Sequence, residues 1–343
     1  VSATSIAENA GSSLTLTATS SIVSGSDITV TLSTSGTATE GTDYGSLSDI
    51  TISAGATTGT TTFTPTDDSM YETSTDETAT VAIDTVSGGS ATENGTQSVT
   101  ITINENESAP TVTLTASATS IAENAGSSIT ITASLSGTTS QDVTVSLSSS
   151  STATEGTDYG TVSDITITSG STSGTATFTP TDDSIYDATS NETAVIIIDS
   201  VSGGSATEDG SQSVTLTITD DESAPTVSLS TSASTVAEKG GGSITITATA
   251  SVATFANISV PVTMSGTATE GTDYNSGGTV SDITISAGST SGTATLTPVD
   301  DTLFENSETA IVDIAVSGGG ASESGSQQRT ITITDKALDS GTQ

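Results

Sequence analysis

Apolar and hydroxyl-bearing residues alternate along most of this chain. The runs SLTLTATS (13–20), DITVTLST (27–34), SVTITINE (98–105) and SITITATA (243–250) carry the pattern most clearly. Alternation with period two, built on β-branched residues, predicts half-buried β-strands. In residues 1–110 the pattern predicts seven of them: a short strand ending near Ile6, then 12–20, 27–34, 47–53, 57–64, 77–86 and 96–104. The breaks AENAG, SGSD, SGTATEGTDYGS, SAGAT, TPTDDSMYETSTDE and SGGSATENG hold the Gly, Asn, Asp and Pro expected of turns. Seven short strands in about 110 residues predict an immunoglobulin-like sandwich of two antiparallel sheets. Its core is read as Ile, Val and Leu, with Phe63, Tyr71, Phe178, Tyr186, Leu296 and Phe304 as large fillers. The run VIII at 195–198 reads as a strand buried on both faces.

The pattern then repeats. TATEGTDY occurs at 37–44, 152–159 and 267–274, so successive copies start 115 residues apart. That period is too long for a solenoid and predicts three tandem domains, 1–109, 110–224 and 225–343. The junctions NENESAPTVTL and TDDESAPTVSL are short and contain Pro110 or Pro225. Proline restricts its own φ and its predecessor, so the expected fold is all-β, with three such sandwiches following one another in an elongated rod.

Composition changes this picture in two ways. Only 3% of residues are aromatic and Ser and Thr abound, which would suggest disorder without the alternation. Forty-one acidic residues face three basic ones, a net charge of −38. Nucleic acid and anionic lipid are repelled by such a chain. Cysteine and histidine are absent, which removes disulfides, thiol nucleophiles and imidazole chemistry. No apolar run approaches the ~20 residues that span a bilayer, so membrane insertion is not expected. The chain opens at Val1 with no signal peptide, and reads as a mature or excised piece of something longer.

The placement of the acids is the main functional clue. If each strand runs opposite to the one before, the connections at 7–11, 35–46 and 65–76 and the residues after 104 share one pole. That pole collects Glu8, Glu40, Asp43, Asp67, Asp68, Glu72, Asp76, Glu77, Glu105 and Glu107, while the other has Glu93 and little else. The second repeat gives Glu123, Glu155, Asp158, Asp182, Asp183, Asp187, Glu192, Asp220, Asp221 and Glu222. The third gives Glu238, Glu270, Asp273, Asp300, Asp301, Glu305, Glu308 and Asp335. Crowded carboxylates repel one another unless protonated or bridged by a cation. Calcium, a hard ion with six to eight oxygen ligands, suits such loops; magnesium and transition metals suit them less. The competing reading is a solvated acidic end that serves solubility.

GTATEGTDY, a strand ending SAG before a Thr-rich strand, TPTDDSMYE…ET, and a final VTITINENE together resemble the Calx-β domain, in all three repeats. The resemblance implies an immunoglobulin-like sandwich that, in calcium-binding members, takes ligands from four places. These are a Glu after the first strand, the Asp of the DY pair, the long acidic loop, and acids after the last strand. In this chain they are Glu8, Asp43, Asp67, Asp68, Glu72, Glu77 and Glu105; then Glu123, Asp158, Asp182, Asp183, Asp187, Glu192, Asp220 and Asp221; then Glu238, Asp273, Asp300, Asp301, Glu305, Glu308 and Asp335. Spacing departs from the family between Glu72 and Glu77 and between Asp187 and Glu192, five apart where Glu305 and Glu308 are three apart. The third repeat ends DKA, where Lys336 opposes a cation, so its site is expected to be the weakest.

In TATEGTDY itself, Gly41 is read as permitting a turn, Tyr44 as packing on the sandwich and Asp43 as a ligand. Repeats two and three begin with TVTLT and TVSLS, and repeat one lacks this strand because Val1 aligns with Ala116. Either the chain boundary accounts for that, or copies of the chain associate head-to-tail through the open edge of the first domain. The tail KALDSGTQ is a weak strand donor. The expected function is a non-catalytic, secreted or bacterial cell-surface segment, structural or adhesive, stiffened by calcium. The alternative is a calcium-binding accessory region of a larger secreted enzyme. A sensor regulating a transporter fits less well.

Overall fold

The structure is a computed structural model that describes residues 1–72, 76–187, 191–301 and 305–335. The alternation forms strands throughout. In the stretch 129–135, Ile129, Ile131, Ala133 and Leu135 are buried, and the intervening Thr and Ser are half-buried. Burying one face of each strand leaves three separate apolar cores, one per repeat.

The first sandwich contains β1 (Ser5–Ala7), β2 (Leu14–Thr19), β3 (Ile28–Gly36), β4 (Ile50–Ile52), β5 (Thr58–Phe63), β6 (Met70–Tyr71), β7 (Glu77–Ser87) and β8 (Ser98–Asn104). One sheet has the order β1-β8-β7-β3-β4, and β2 pairs with β5 across from it. The second contains β9 (Thr111–Ala116), β10 (Ser120–Ala122), β11 (Ile129–Leu135), β12 (Thr138–Thr139), β13 (Val143–Ser151), β14 (Ile165–Ile167), β15 (Ser173–Phe178), β16 (Ile185–Tyr186), β17 (Glu192–Ser202), β18 (Thr207–Glu208) and β19 (Ser213–Thr219). Its sheets are β10-β19-β17-β13-β14 and β15-β11-β9-β18. The third contains β20 (Thr226–Thr231), β21 (Thr235–Ala237), β22 (Ile244–Ala250), β23 (Ala253–Thr254), β24 (Ile258–Val260), β25 (Val262–Gly266), β26 (Ile283–Ile285), β27 (Ser291–Leu296), β28 (Glu308–Ile314), β29 (Ser322–Glu323) and β30 (Gln328–Thr334). Its main sheets are β27-β22-β20-β29 and β21-β30-β28-β25, with β24 paired to β26.

The third sandwich splits one long strand into β24 and β25 at Pro261. The first two have a register shift at the equivalent place, between Thr31 and Leu32 and between Ser146 and Leu147. Proline has no N–H to offer a ladder, and a bulge is where one is least missed.

Three details differ from the reading of the sequence. The first strand of the second and third repeats is divided, and in all three repeats the segment beside the last strand lies parallel, not antiparallel, to it: β1 on β8, β10 on β19 and β21 on β30. The run 195–198 is buried on one face only, with Ile196 and Ile198 inside and Val195 and Ile197 half-buried, because no layer covers the outer face of β17. Among the large fillers, Phe63, Phe178 and Leu296 are fully enclosed, and Tyr44, Tyr159 and Tyr274 join them at 1% exposure. Tyr71 is buried outside the first core, because β6 leaves its own sandwich to pair with the next. Phe304 lies outside the described residues, as do Lys336 and the tail. No helix among the described residues is long and apolar enough to cross a membrane.

Candidate metal centre

The parallel pairing of β1 with β8 sends both strands toward the same pole, and Glu8 N–H donates to Asn104 O at 3.2 Å. The loop after β3 returns to that pole through the TATEGTDY turn. Gly41 sits at φ +89°, a backbone conformation that costs an L side chain, and its N–H donates to Tyr44 O at 2.7 Å. Tyr44 anchors the turn by stacking on Phe63, with ring centroids 4.6 Å apart. The Asp43 carboxylate accepts the Thr39 N–H; Asp158 and Asp273 accept from Thr154 and Thr269 at 2.6 Å in the same way. Each aspartate thus closes its turn and at the pole also meets a glutamate side chain, Glu77, Glu192 or Glu308.

Among the described residues four groups of carboxylates follow, each with ligand oxygens within 4.8 Å of one another: Glu8, Glu105 and Glu107; Asp43, Glu72 and Glu77; Glu123, Asp220 and Glu222; Asp273, Glu305 and Glu308. The spacings of five and three residues in the long acidic loop therefore converge on the same arrangement. In the second sandwich Asp158, Asp183, Asp187, Glu192, Glu123 and Asp220 line one polar recess, with Phe255 of the third sandwich at its edge. Carboxylates also hold backbone: Glu105 accepts the N–H groups of Glu72 (2.8 Å), Asn106 and Glu107 (both 3.0 Å), and Asp220 accepts those of Asp187 (3.0 Å) and Glu222 (3.2 Å). Asp335 accepts from Glu305 N–H in the third.

Other acids at the pole have different roles. Asp68 and Asp183 accept the N–H of Met70 and Ile185 at 2.6 Å, capping the short strands β6 and β16. Asp67 stands close enough to Glu107 to raise its pKa, and Asp221 accepts from Asn124. Asp182 and Asp300 are exposed, and Asp301 is half-buried. Glu238 is buried in the third sandwich, facing Asp335, Glu305, Asp301 and Asp273. Glu40, Glu155 and Glu270 turn back on their own loops, accepting from Leu47 N–H (3.0 Å), Ser149 Oγ (3.2 Å) and Val280 N–H. Sequence reasoning placed Glu107 and Glu222 at the pole but not among the ligands. The signal was the last acid of ENE and DDE, which the parallel return beside Glu8 and Glu123 brings into the group.

Electrostatics show how uncomfortable these groups are alone. Burial, with Glu107 and Glu105 beside it, pushes Glu8 up to about 9 from 4.5. Burial and neighbouring acids push Glu77 to about 7, Glu123 to about 8 and Glu192 to about 7. Burial likewise raises Glu72, Glu107, Glu222 and Glu308. Burial would also raise Glu105, but the N–H groups it accepts outweigh that and hold it low. Among the described residues four enclosed oxygens have no hydrogen-bond partner: Oε1 of Glu8 and Oε2 of Glu107, Glu222 and Glu308. Each belongs to one of the four groups. Unsatisfied buried carboxylate oxygens converging from several loops fit a hard oxygen-seeking cation, whose ligands at about 2.4 Å stand no more than about 5 Å apart.

The sign of the pH effect follows. Above pH 4.5 the folded chain holds protons that the unfolded chain has released, on Glu77 and Glu192 up to about pH 7, on Glu123 up to about 8 and on Glu8 up to about 9. Stability without a cation is therefore fully present below pH 4.5 and falls as pH rises through 7 to 9. A bound divalent ion replaces those protons and flattens the slope. Melting temperatures across this range, with and without chelator, measure it; a chelated protein as stable at pH 9 as at pH 5 would show these carboxyls to be unstrained.

Three tandem immunoglobulin-like sandwiches, each with a carboxylate-lined pole, define the class. The chain belongs to the Calx-beta domain family, whose profile matches residues 2–107, 105–222 and 220–337. No curated protein matches the chain. Among solved structures it is similar to CBD12 from CALX1.2 (14% identity, 64% of this chain and 99% of that one, TM-score 0.29). It is also similar to the calcium binding domain CBD12 of CALX1.1 (16%, 63% and 96%, TM-score 0.26). A third is invasin, a bacterial integrin-binding protein (16%, 96% and 58%, TM-score 0.31).

Proposed function

We propose that the acidic poles bind calcium and that the ions stiffen the joints of an extracellular rod. The observation carrying this is the set of enclosed, partnerless oxygens on Glu8, Glu107, Glu222 and Glu308, each inside a carboxylate group. The joint itself supports it. Strand β6, next to Glu72, pairs in parallel with β12 of the second sandwich, and β16, next to Asp187, pairs with β23 of the third. Ser140 Oγ donates to Glu72 O at 2.7 Å, and Ser140 N–H to Tyr71 O at 3.0 Å. An ion held by Glu72 therefore fixes the same backbone that grips the next sandwich.

Sites built of many carboxylates on loops suit calcium, a hard cation that is abundant outside cells. The reading is a non-catalytic structural or adhesive segment of a bacterial surface or secreted protein. Fibre formation is its finer form, with further modules joining end to end. Three sandwiches in line span about 110–130 Å at about 3.3 Å per strand residue plus loops. Small-angle scattering tests it: chelator should lower the persistence of that maximum dimension and calcium restore it. Calorimetric titration of Asp158→Ala should lose ions from the middle sandwich. An unchanged scattering profile together with full ion stoichiometry would leave the poles as solvated acid.

A further inference from the structure

The two joints share a backbone plan. In each, a two-residue strand leaves its own sandwich and lies parallel to a short strand of the next, β6 on β12 and β16 on β23. The N–H that follows the receiving strand donates back across the joint, Ser140 to Tyr71 O at 3.0 Å and Phe255 to Tyr186 O at 3.2 Å. A glycine turn braces the receiving strand: Gly170 N–H donates to Thr139 O and Gly288 N–H to Thr254 O, both at 2.9 Å.

The side chain that crosses is different. Met70 is half-buried, and its Cε lies 3.9 Å from the point where a Cβ on Gly170 would stand, so the thioether reaches the bracing turn of the second sandwich. The same point on Gly288 has nothing beyond its chain neighbours within 4 Å, and Ile185 lines the acidic recess of its own pole. Sulfur is scarce in this chain, with two methionines and no cysteine. The other methionine, Met264, packs against the third core, away from either joint.

We propose that Met70 is a modification site, a thioether whose oxidation by a peroxide loosens the first joint and leaves the second intact. The sulfur attacks one oxygen of hydrogen peroxide, and an S–O bond forms as the O–O bond breaks. The hydrogen on the transferred oxygen passes to the departing hydroxide, which leaves as water. Sulfur is oxidised by two electrons and the peroxide is reduced. The product is a polar, chiral sulfoxide where a flexible apolar side chain had packed.

Its new oxygen is an acceptor in a place whose donors are already committed. Met70 N–H donates to Asp68 Oδ1 at 2.6 Å, and Thr138 Oγ1 to Ser69 O at 3.0 Å. Ser140 gives its N–H to Tyr71 O and its Oγ–H to Glu72 O, and Gly170 N–H is held by Thr139 O. The sulfoxide oxygen therefore finds its partner in water, which draws the side chain off Gly170 and exposes the two-residue bridge beneath. This inference does not depend on whether the acidic poles hold calcium.

The test treats the 343-residue protein, carrying Met264→Leu so that Met70 is its one sulfur, with hydrogen peroxide in the presence of chelator. Peptide mass spectrometry should find one added oxygen on Met70. Hydrogen exchange at the Ser140 and Gly170 amides should then quicken about ten-fold, the worth of one net hydrogen bond. The Phe255 and Gly288 amides of the second joint should not change. Met70→Ile, which gives the first joint the residue of the second, should abolish the response, and Met70→Gln should reproduce it without oxidant. A Met70 that resists oxidation in the folded protein, oxidation that leaves the Ser140 and Gly170 amides unaltered, or equal quickening at both joints would each overturn the proposal.

Discussion

Stripping calcium at neutral pH is expected to lower the melting temperature of the first and second sandwiches by about 15–30 °C. The estimate has two parts. Saturation of one site at a thousand times its Kd stabilises a fold by about 4 kcal/mol, and for a domain of about 100 residues each kcal/mol moves the transition by about 4–8 °C. Without the ion the first sandwich keeps Glu8 beside Glu105 and Glu107, and Asp43 beside Glu72 and Glu77; protons on Glu8 and Glu77 relieve part of that repulsion, and the remainder adds to the same side. The first sandwich should shift most, because among the described residues it holds two such groups where the second and the third each hold one. Scanning calorimetry with calcium and then with chelator reads this directly. Coincident traces would mean that hydrated or protonated carboxyls suffice at the poles, and the solubility reading would stand.

Truncating Tyr159 to alanine should have an effect of similar size by a different route. Its side chain is 1% exposed, and its ring lies 4.6 Å from that of Phe178. Loss of a buried aromatic costs about 3–5 kcal/mol, a large share of the roughly 5–15 kcal/mol that holds a domain. The same residue anchors the turn that presents Asp158, through Gly156 N–H on Tyr159 O at 2.8 Å and Gly160 N–H on Thr179 O at 2.9 Å. Urea unfolding should show the middle sandwich melting first, and calcium titration should show its ions lost while those of the first sandwich remain. Tyr159→Phe keeps the ring and should keep both. If the alanine variant bound as many ions as its parent with equal affinity, Asp158 would owe nothing to the turn and its placement as a ligand would fail.

Much of the site was legible because chain direction alone sorts connections between two poles. Glu8, Asp43, Glu72, Glu77 and Glu105 could be collected without coordinates, and the structure brings all five into two groups. The roles within the pole were less legible. Asp68 and Asp183 also cap β6 and β16, which the sequence did not show, because a short strand that leaves its sandwich exposes N–H groups that need acceptors. Glu107 and Glu222 were seen as flanking acids. Only the parallel pairing of β1 with β8, and of β10 with β19, shows that the exit of the last strand runs back beside Glu8 and Glu123.

The joints mark the boundary between the two kinds of information. Alternation, turn residues and the 115-residue period are local properties, so the sequence determined the strands, the number of repeats and the pole that gathers the acids. That Met70–Tyr71 and Ile185–Tyr186 cross to Thr138–Thr139 and Ala253–Thr254 was decided by tertiary structure alone. A two-residue parallel bridge has no periodicity to read, and backbone hydrogen bonds between separate sandwiches depend on where each places its edge, not on which side chains it carries there.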